Sequence, residues 1–194
     1  IPIAFVGLEL DGEAAHITGQ VCRAARAGHG GESDENGGFA IGVSEETYRR
    51  VNAEGTRNVL AATAAALAEG RLGPDARLLH VGSAGVLGPI RGRPGGFLFD
   101  ETMRLAPSNA YERSKALAES YAREFALAGL PVVIARPEFV YGPGDLHVLG
   151  LFRAVQRGVF FYIGNGQNHC RPTSIDDAVD GILAGLERGR AGQA

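Results

Sequence analysis

The stretch "ARLLHVGS", residues 76–83, is an apolar run that ends on a serine, and the segments on either side of it decide the fold. A Gly/Pro-rich loop, "VLGPIRGRPGGFLFDETMRLAPSN", follows it, then the helical pattern "SNAYERSKALAESYAREF" (108–125), then a second apolar run, "LPVVIARP" (130–137). Strand, helix and strand in this order read as a parallel βαβ unit, in which the crossover is right-handed and the helix covers one face of the sheet. Upstream, "EETYRRVNAEGTRNVLAATAAALAE" (45–69) reads as a helix, with Gly55 marking a close approach by another backbone. Before it come a candidate strand "FAIGV" (39–43), a Gly-rich loop "GHGGESDENGG" (28–38), a helix "ITGQVCRAARAG" (17–28) with Val21, Ala24, Ala25 and Gly28 on one face, and a first buried strand "IPIAFVG" (1–7). Downstream, "EFVYGPGD" reads as the loop after the second apolar run. A helix "LHVLGLFRAVQRG", a candidate strand "VFFYIG" and a last helix "SIDDAVDGILAGLERG" follow, and Asp176 and Asp177 favour the N-terminus of that last helix. The expected architecture is a three-layer α/β domain. Its short parallel sheet is built from residues 1–7, 76–82 and 130–136, with 39–43 as a further candidate, and helices lie on both faces.

Composition narrows the function classes. The 194 residues are 45% hydrophobic, enough to bury a core, and there are no internal repeats. The formal charge is −3, from 19 basic and 22 acidic residues, and no basic run tracks a phosphate backbone, so nucleic acid is excluded as a partner. Cys22 and Cys170 stand far apart and without metal-ligand spacing, which fits reduced thiols and no metal site. The longest Ala/Leu run, "NVLAATAAALAEG", is too short to span a bilayer and no leader pattern precedes the first strand. The expectation is a soluble cytoplasmic protein with no membrane partner.

The chemistry lies at the joints of the βαβ unit. Tyr111 and Lys115 are four residues apart on one helix, so they share a face and present a phenol and an ammonium to one small volume. Ser83 ends one strand and "EFVYGPGD" follows the other, and in an open α/β sheet ligands bind outside the carboxyl ends of the strands. A free phenol titrates near pH ~10, too high for a good base at neutral pH, and a neighbouring ammonium favours the phenolate. A serine hydroxyl beside it suits hydrogen bonding to a substrate oxygen. Taken alone, a Tyr and a Lys at this spacing also fit a helix-start tyrosine packed on a loop. The functional reading draws its weight from "HVGSAGVLG" upstream and "ARPEFVYGPGD" downstream.

As an ordered set, "YRRVNAEGTRNVLAA", "LLHVGSAGVLG", "NAYERSKALAE", "VVIARPEFVYGPGD" and "GNGQN" with "SIDDAVDGILAGLE" resemble the extended short-chain dehydrogenase/reductases. More narrowly, they resemble the NAD-dependent epimerase/dehydratase group with its steroid-dehydrogenase-like and flavonol-reductase-like relatives. The resemblance implies a Rossmann-like fold and a bound NAD or NADP. It implies that Tyr111 is the catalytic acid/base, that Lys115 lowers its pKa, together with the positive ring of an oxidised nicotinamide, and binds the nicotinamide ribose, and that Ser83 orients the reacting oxygen. Asn52 would brace the central helix near the cofactor, and Pro137 and the residues after it would line the nicotinamide pocket; a mid-helix polar residue and a simple strand terminator are their plainer readings. Ser83, Gly85, Glu138 and Phe139 would face the substrate. It further implies a homodimer formed through the Tyr/Lys helix and the long helix before it.

The chain also departs from that pattern. The family's GxxGxxG turn, where backbone amides hold the cofactor pyrophosphate, is matched only if Gly7, Gly12 and Gly19 fill it around an insertion, and Glu9, Asp11 and Glu13 add negative charge there. Little sequence separates the first helix from the Asn52 helix. The expected organisation is therefore a shortened first part of the dinucleotide-binding domain (1–43), a core Rossmann-like portion with the catalytic motif (44–145), and part of a substrate-binding lobe with the final helix (146–194). A shortened first part also leaves a sheet edge open beside residues 1–7. Phe139 occupies a position where many nucleotide-sugar enzymes carry an asparagine. The leading expectation is an epimerase/dehydratase-type enzyme moving hydride at a secondary alcohol of a nucleotide sugar. A reductase or dehydrogenase of a more apolar alcohol or ketone, and a non-catalytic remnant acting as a binding protein, are the alternatives.

Overall fold

The computed structural model of the chain describes residues 44–73, 75–89, 99–143, 145–159 and 172–194. The expected strands 1–7 and 39–43, the first helix, Gly7, Gly12 and Gly19, and nearly all of "VFFYIG" lie outside the described residues.

The long helix expected over 45–69 forms in three joined pieces: α1 (Glu45–Tyr48), a π-helical stretch (Arg49–Glu54) and α2 (Gly55–Ala68). Ser44 starts it, its hydroxyl accepting from the Thr47 amide at 3.2 Å. The buried face runs through Asn52, Ala53, Thr56, Val59, Leu60, Thr63 and Ala66, a helical spacing. Thr56 and Thr63 are tolerated there because each hydroxyl donates to the carbonyl four residues earlier, at 2.6 and 2.9 Å.

The two strands of the βαβ unit form as β1 (Leu78–Val81) and β2 (Val132–Ala135), paired in parallel with Leu78 opposite Val132 and Val81 opposite Ala135. Between them runs α3 (Ala110–Leu127), capped by Asn109, whose side-chain oxygen accepts from the Glu112 amide at 2.8 Å. Strand alternation sorts the side chains into layers. Leu78, Val132 and Ile134 pack with Leu60, Ala122 and Leu130 under α2 and α3. Leu79 and Val133 face the other way, towards α5 (Ile175–Arg188), whose Gly185 and Gly189 let its backbone lie close to them. Helices on both faces of a parallel pair make the expected three-layer α/β arrangement. After α5 the chain returns along β2, with Gly192 N donating to Val132 O at 2.8 Å and Ile134 N to Gln193 O at 2.9 Å, on the edge of β2 away from β1.

One segment differs from its expectation. "EFVYGPGD", read as a loop, contains β3 (Phe139–Tyr141), which pairs in parallel with β4 (Pro172–Ser174). Three residues are too few to show a period of two, and the partner lies far along the chain, so no local pattern marks the strand. This second pair links the 44–145 portion to the 146–194 portion. Between β3 and β4 lies α4 (Leu146–Gln156), as the helical pattern there predicts. Ser174, at the end of β4, caps α5 by accepting from Asp177 N at 3.1 Å, with Asp176 and Asp177 in the first turn as expected.

Candidate active site

The β1–β2 ladder continues past its strand ends: Gly82 N donates to Ala135 O at 2.7 Å and Ala84 N to Pro137 O at 3.0 Å. Ser83 is held between these two bonds at the carboxyl edge of the sheet, in extended conformation. It starts a short 3-10 turn (Ala84–Leu87), its Oγ accepting from Gly85 N at 3.2 Å. The close approach depends on Gly82, where a β-carbon would stand 3.2 Å from the Ala135 carbonyl oxygen.

Helix α3 brings Tyr111 to this edge, close enough for the Ser83 side chain to act on the phenol. The Tyr48 ring, from α1, meets the Tyr111 ring edge-on, with centroids 5.7 Å apart and planes at 69°. Burial pushes the Tyr111 phenol above its ordinary value; the Ser83 bond acts the other way, and Tyr48 and Glu112 add to the rise. Lys115, expected to lower the phenol, directs its ammonium at the Val81 carbonyl at 2.8 Å. Burial brings the Lys115 pKa down to about 8.

A buried relay ties the long helix to α3. Asn52 Nδ2 donates to Ser114 Oγ at 3.0 Å, and Ser114 Oγ donates to the Tyr111 carbonyl at 2.7 Å. The Asn52 backbone carbonyl, in the π-helical turn, accepts from the Thr56 hydroxyl one turn on. These bonds tie Asn52 to the helix that carries Tyr111 and Lys115.

One turn beyond Lys115, Glu119 has no exposure to solvent. Arg136, the residue before Pro137, grips it with Nε to Oε2 at 2.8 Å and Nη2 to Oε1 at 2.7 Å, and Arg123 Nε adds a bond to Oε1 at 2.9 Å. Burial alone would raise the Glu119 carboxyl, but the bonds and charges of Arg136 and Arg123 outweigh it and hold the carboxyl below its ordinary value. His80 lies buried on the same face of β1. Burial first, and the Lys115 charge second, lower its pKa to about 4 against a pull upward from Glu119, so the imidazole is neutral.

Ser83, Gly85, Tyr111, Lys115 and Asn52 are thus brought together around the end of β1. Pro137 joins them through its carbonyl, Glu138 is exposed, and half-buried Phe139 opens β3. Among the described residues no group of three or more His, Cys, Asp or Glu could hold a metal, and no helix is long and apolar enough to cross a membrane. Sequence reasoning missed Tyr48, Ser114, His80, Glu112 and the Glu119–Arg136 pair. Only Glu119 carried a local signal, since it stands four residues after Lys115 on the face that Lys115 shares with Tyr111.

The profile of the NAD dependent epimerase/dehydratase family matches residues 35–194. A ketoreductase of Stigmatella aurantiaca, acting on 4-hydroxy-2-methyl-3-oxo-4-farnesyl-3,4-dihydroquinoline-1-oxide, is 29% identical over 154 residues, which cover 78% of this chain and 43% of the relative. The dTDP-glucose 4,6-dehydratase of Bacillus anthracis, solved with NAD, is similar at 25% identity and a TM-score of 0.61, over 80% of this chain and 48% of that one. The dTDP-glucose 4,6-dehydratase DesIV of Streptomyces venezuelae, also solved with NAD, is similar at 27% identity and a TM-score of 0.63, over 89% of this chain and 53% of that one. The chain spans about half the length of these relatives. With its parallel sheet, its helices on both faces and its matched profile, the chain belongs to the NAD dependent epimerase/dehydratase family.

Proposed function

We propose that this chain carries the cofactor-facing and proton-transferring part of an NAD(P)-dependent enzyme that moves a hydride between the cofactor and a secondary alcohol or its ketone. The observation that carries the reading is the assembly of Ser83, Tyr111 and Lys115 at the carboxyl edge of a parallel pair. When bound, the nicotinamide supplies or accepts the hydride. A lysine ammonium has three donors, and Lys115 gives one to Val81, which leaves donors for the hydroxyls of a ribose. In the reducing direction the Ser83 hydroxyl hydrogen-bonds the ketone oxygen and the protonated Tyr111 phenol gives it a proton as hydride arrives on carbon; in the oxidising direction the proton returns to Tyr111. Asn52 and Ser114 keep Tyr111 in register by holding its backbone carbonyl.

For substrate, the likeness to two dTDP-glucose 4,6-dehydratases favours a nucleotide sugar. A second reading, reduction of a more apolar ketone, draws on two observations. Half-buried Phe139 stands where an amide would serve a sugar, and the named substrate of the similar ketoreductase is a ketone bearing a farnesyl chain.

Replacing Tyr111 with Phe in the whole protein tests the mechanism. Turnover should fall by at least about a thousandfold, as for loss of a general acid, while circular dichroism and thermal unfolding stay unchanged. Undiminished turnover in that variant removes the mechanism. Titration of NAD and NADP by calorimetry separates the enzyme from a non-catalytic remnant, which would bind neither.

A further inference from the structure

Glu112 follows Tyr111 directly, and its carboxylate is held in one place. Its Oε2 accepts from the Ser108 amide at 2.6 Å and from the Ser108 hydroxyl at 2.8 Å, while its own amide donates to the Asn109 cap. Its Oε1 takes no hydrogen bond among the described residues. That oxygen borders Gly85, the residue of the 3-10 turn after Ser83 that has no side chain. A β-carbon built on Gly85 would lie 3.6 Å from Glu112 Oε1, 3.4 Å from Glu112 Cγ and 3.4 Å from Ser83 Oγ. The space left by that missing methyl is therefore bounded by the hydroxyl expected to hold the reacting oxygen and by a fixed, acceptor-only carboxylate oxygen.

We infer that Glu112 is a specificity-determining residue, whose Oε1 accepts a hydrogen bond from a hydroxyl on the substrate carbon next to the one that takes or loses hydride, with Gly85 leaving room for that hydroxyl. This rests on the proposed reaction at Ser83 and Tyr111 and deepens it: the substrate is a ketone with a hydroxyl on its α-carbon, or the matching vicinal diol. Neighbouring oxygens on adjacent carbons lie about 3 Å apart, a spacing that suits one bonded to Ser83 and the other to Glu112. The Ser108 bonds fulfil a capping role at the helix start, but capping uses Oε2 and leaves Oε1 unexplained. A carboxylate oxygen, which can only accept, beside a reacting group discriminates against a substrate that brings no donor.

The test uses the whole protein with NADH and NADPH on two pairs of ketones that differ only in the α-hydroxyl: benzoin with deoxybenzoin, and 2-hydroxycyclohexanone with cyclohexanone. The wild type is expected to favour the hydroxylated member of a pair by about tenfold or more in kcat/KM, the worth of one hydrogen bond to a charged group. Glu112→Gln, whose amide oxygen can still accept from Ser108 while turning a donor to the substrate, should bring that ratio close to one with little change in melting temperature. Gly85→Ala, which fills the space without disturbing the helix cap, should lower the ratio as well. A wild type without the preference, or an unchanged ratio in Glu112→Gln, overturns the inference while leaving the proposed reaction standing. A folded wild type that binds neither NADH nor NADPH in calorimetric titration and reduces none of the four ketones overturns the reading beneath it, and the inference with it.

Discussion

Glu119 has no contact with solvent, yet three guanidinium bonds from Arg136 and Arg123 keep it charged. Removing one side of such a pair leaves the other charge buried without an answer, so Glu119→Gln should cost about 3 kcal/mol or more in a urea titration. The double variant Glu119→Leu with Arg136→Met should recover much of that loss, because it buries no orphaned charge; a double variant less stable than the single one would contradict the argument. His80 adds a pH dependence with a definite sign. Its folded pKa of about 4 lies below the ordinary 6.5, so the unfolded chain binds the proton more readily, and stability attributable to His80 is intact above pH 6.5 and lost as pH falls towards 4. The wild type should lose about 3 kcal/mol more than His80→Gln across that interval, measured by denaturant midpoints at stepped pH. Neither effect was legible in the sequence. Tyr111 and Lys115 could be paired because both belong to one helix, as do Glu119 and Arg123, whereas Arg136, just after β2, and His80, on β1, meet Glu119 and Lys115 only through the fold.

At the level of elements, the approach of α5 to the sheet depends on absent side chains. A β-carbon on Gly189 would overlap the Gly185 carbonyl and stand 2.7 Å from Val133 Cγ1, so Gly189→Ala should destabilise the fold by about 1–3 kcal/mol through overpacking. Gly181, with nothing near its β-position among the described residues, is the control, and Gly181→Ala should be neutral or slightly stabilising. Equal losses in thermal unfolding of the two variants would refute the packing argument. Helices α1, α3 and α5 start where the sequence pattern places them because caps are local: Ser44, Asn109 and Ser174 each accept from an amide three residues on. The π-helical turn at Arg49–Glu54 and the β3–β4 pair left no such mark, since the first answers to the reach of Asn52 towards Ser114 and the second to a partner thirty residues away.

For the whole molecule, α2 turns Ala61, Ala62, Ala65 and Ala68 outward while Leu60, Thr63 and Ala66 pack inward. A flat, small-residue surface on the helix beside α3 is suited to close packing against a second copy, and the expected oligomer is a homodimer through α2 and α3. Light scattering should give twice the chain mass, and Ala65→Arg should give a monomer; a monomeric wild type removes the dimer. Read without coordinates, the chain already determined its class as a parallel α/β protein, the strands within 76–82 and 130–136, the helix between them and the shared face of Tyr111 and Lys115, because hydrophobic period, caps and i,i+4 spacing act over one or two turns of chain. Tertiary structure alone decided that Lys115 answers the Val81 carbonyl, that burial raises the Tyr111 phenol above its ordinary value, and that Glu112 Oε1 borders Gly85. Those outcomes depend on which distant backbone dipoles, charges and empty volumes surround a group once it is buried, and no spacing along the chain encodes that surrounding.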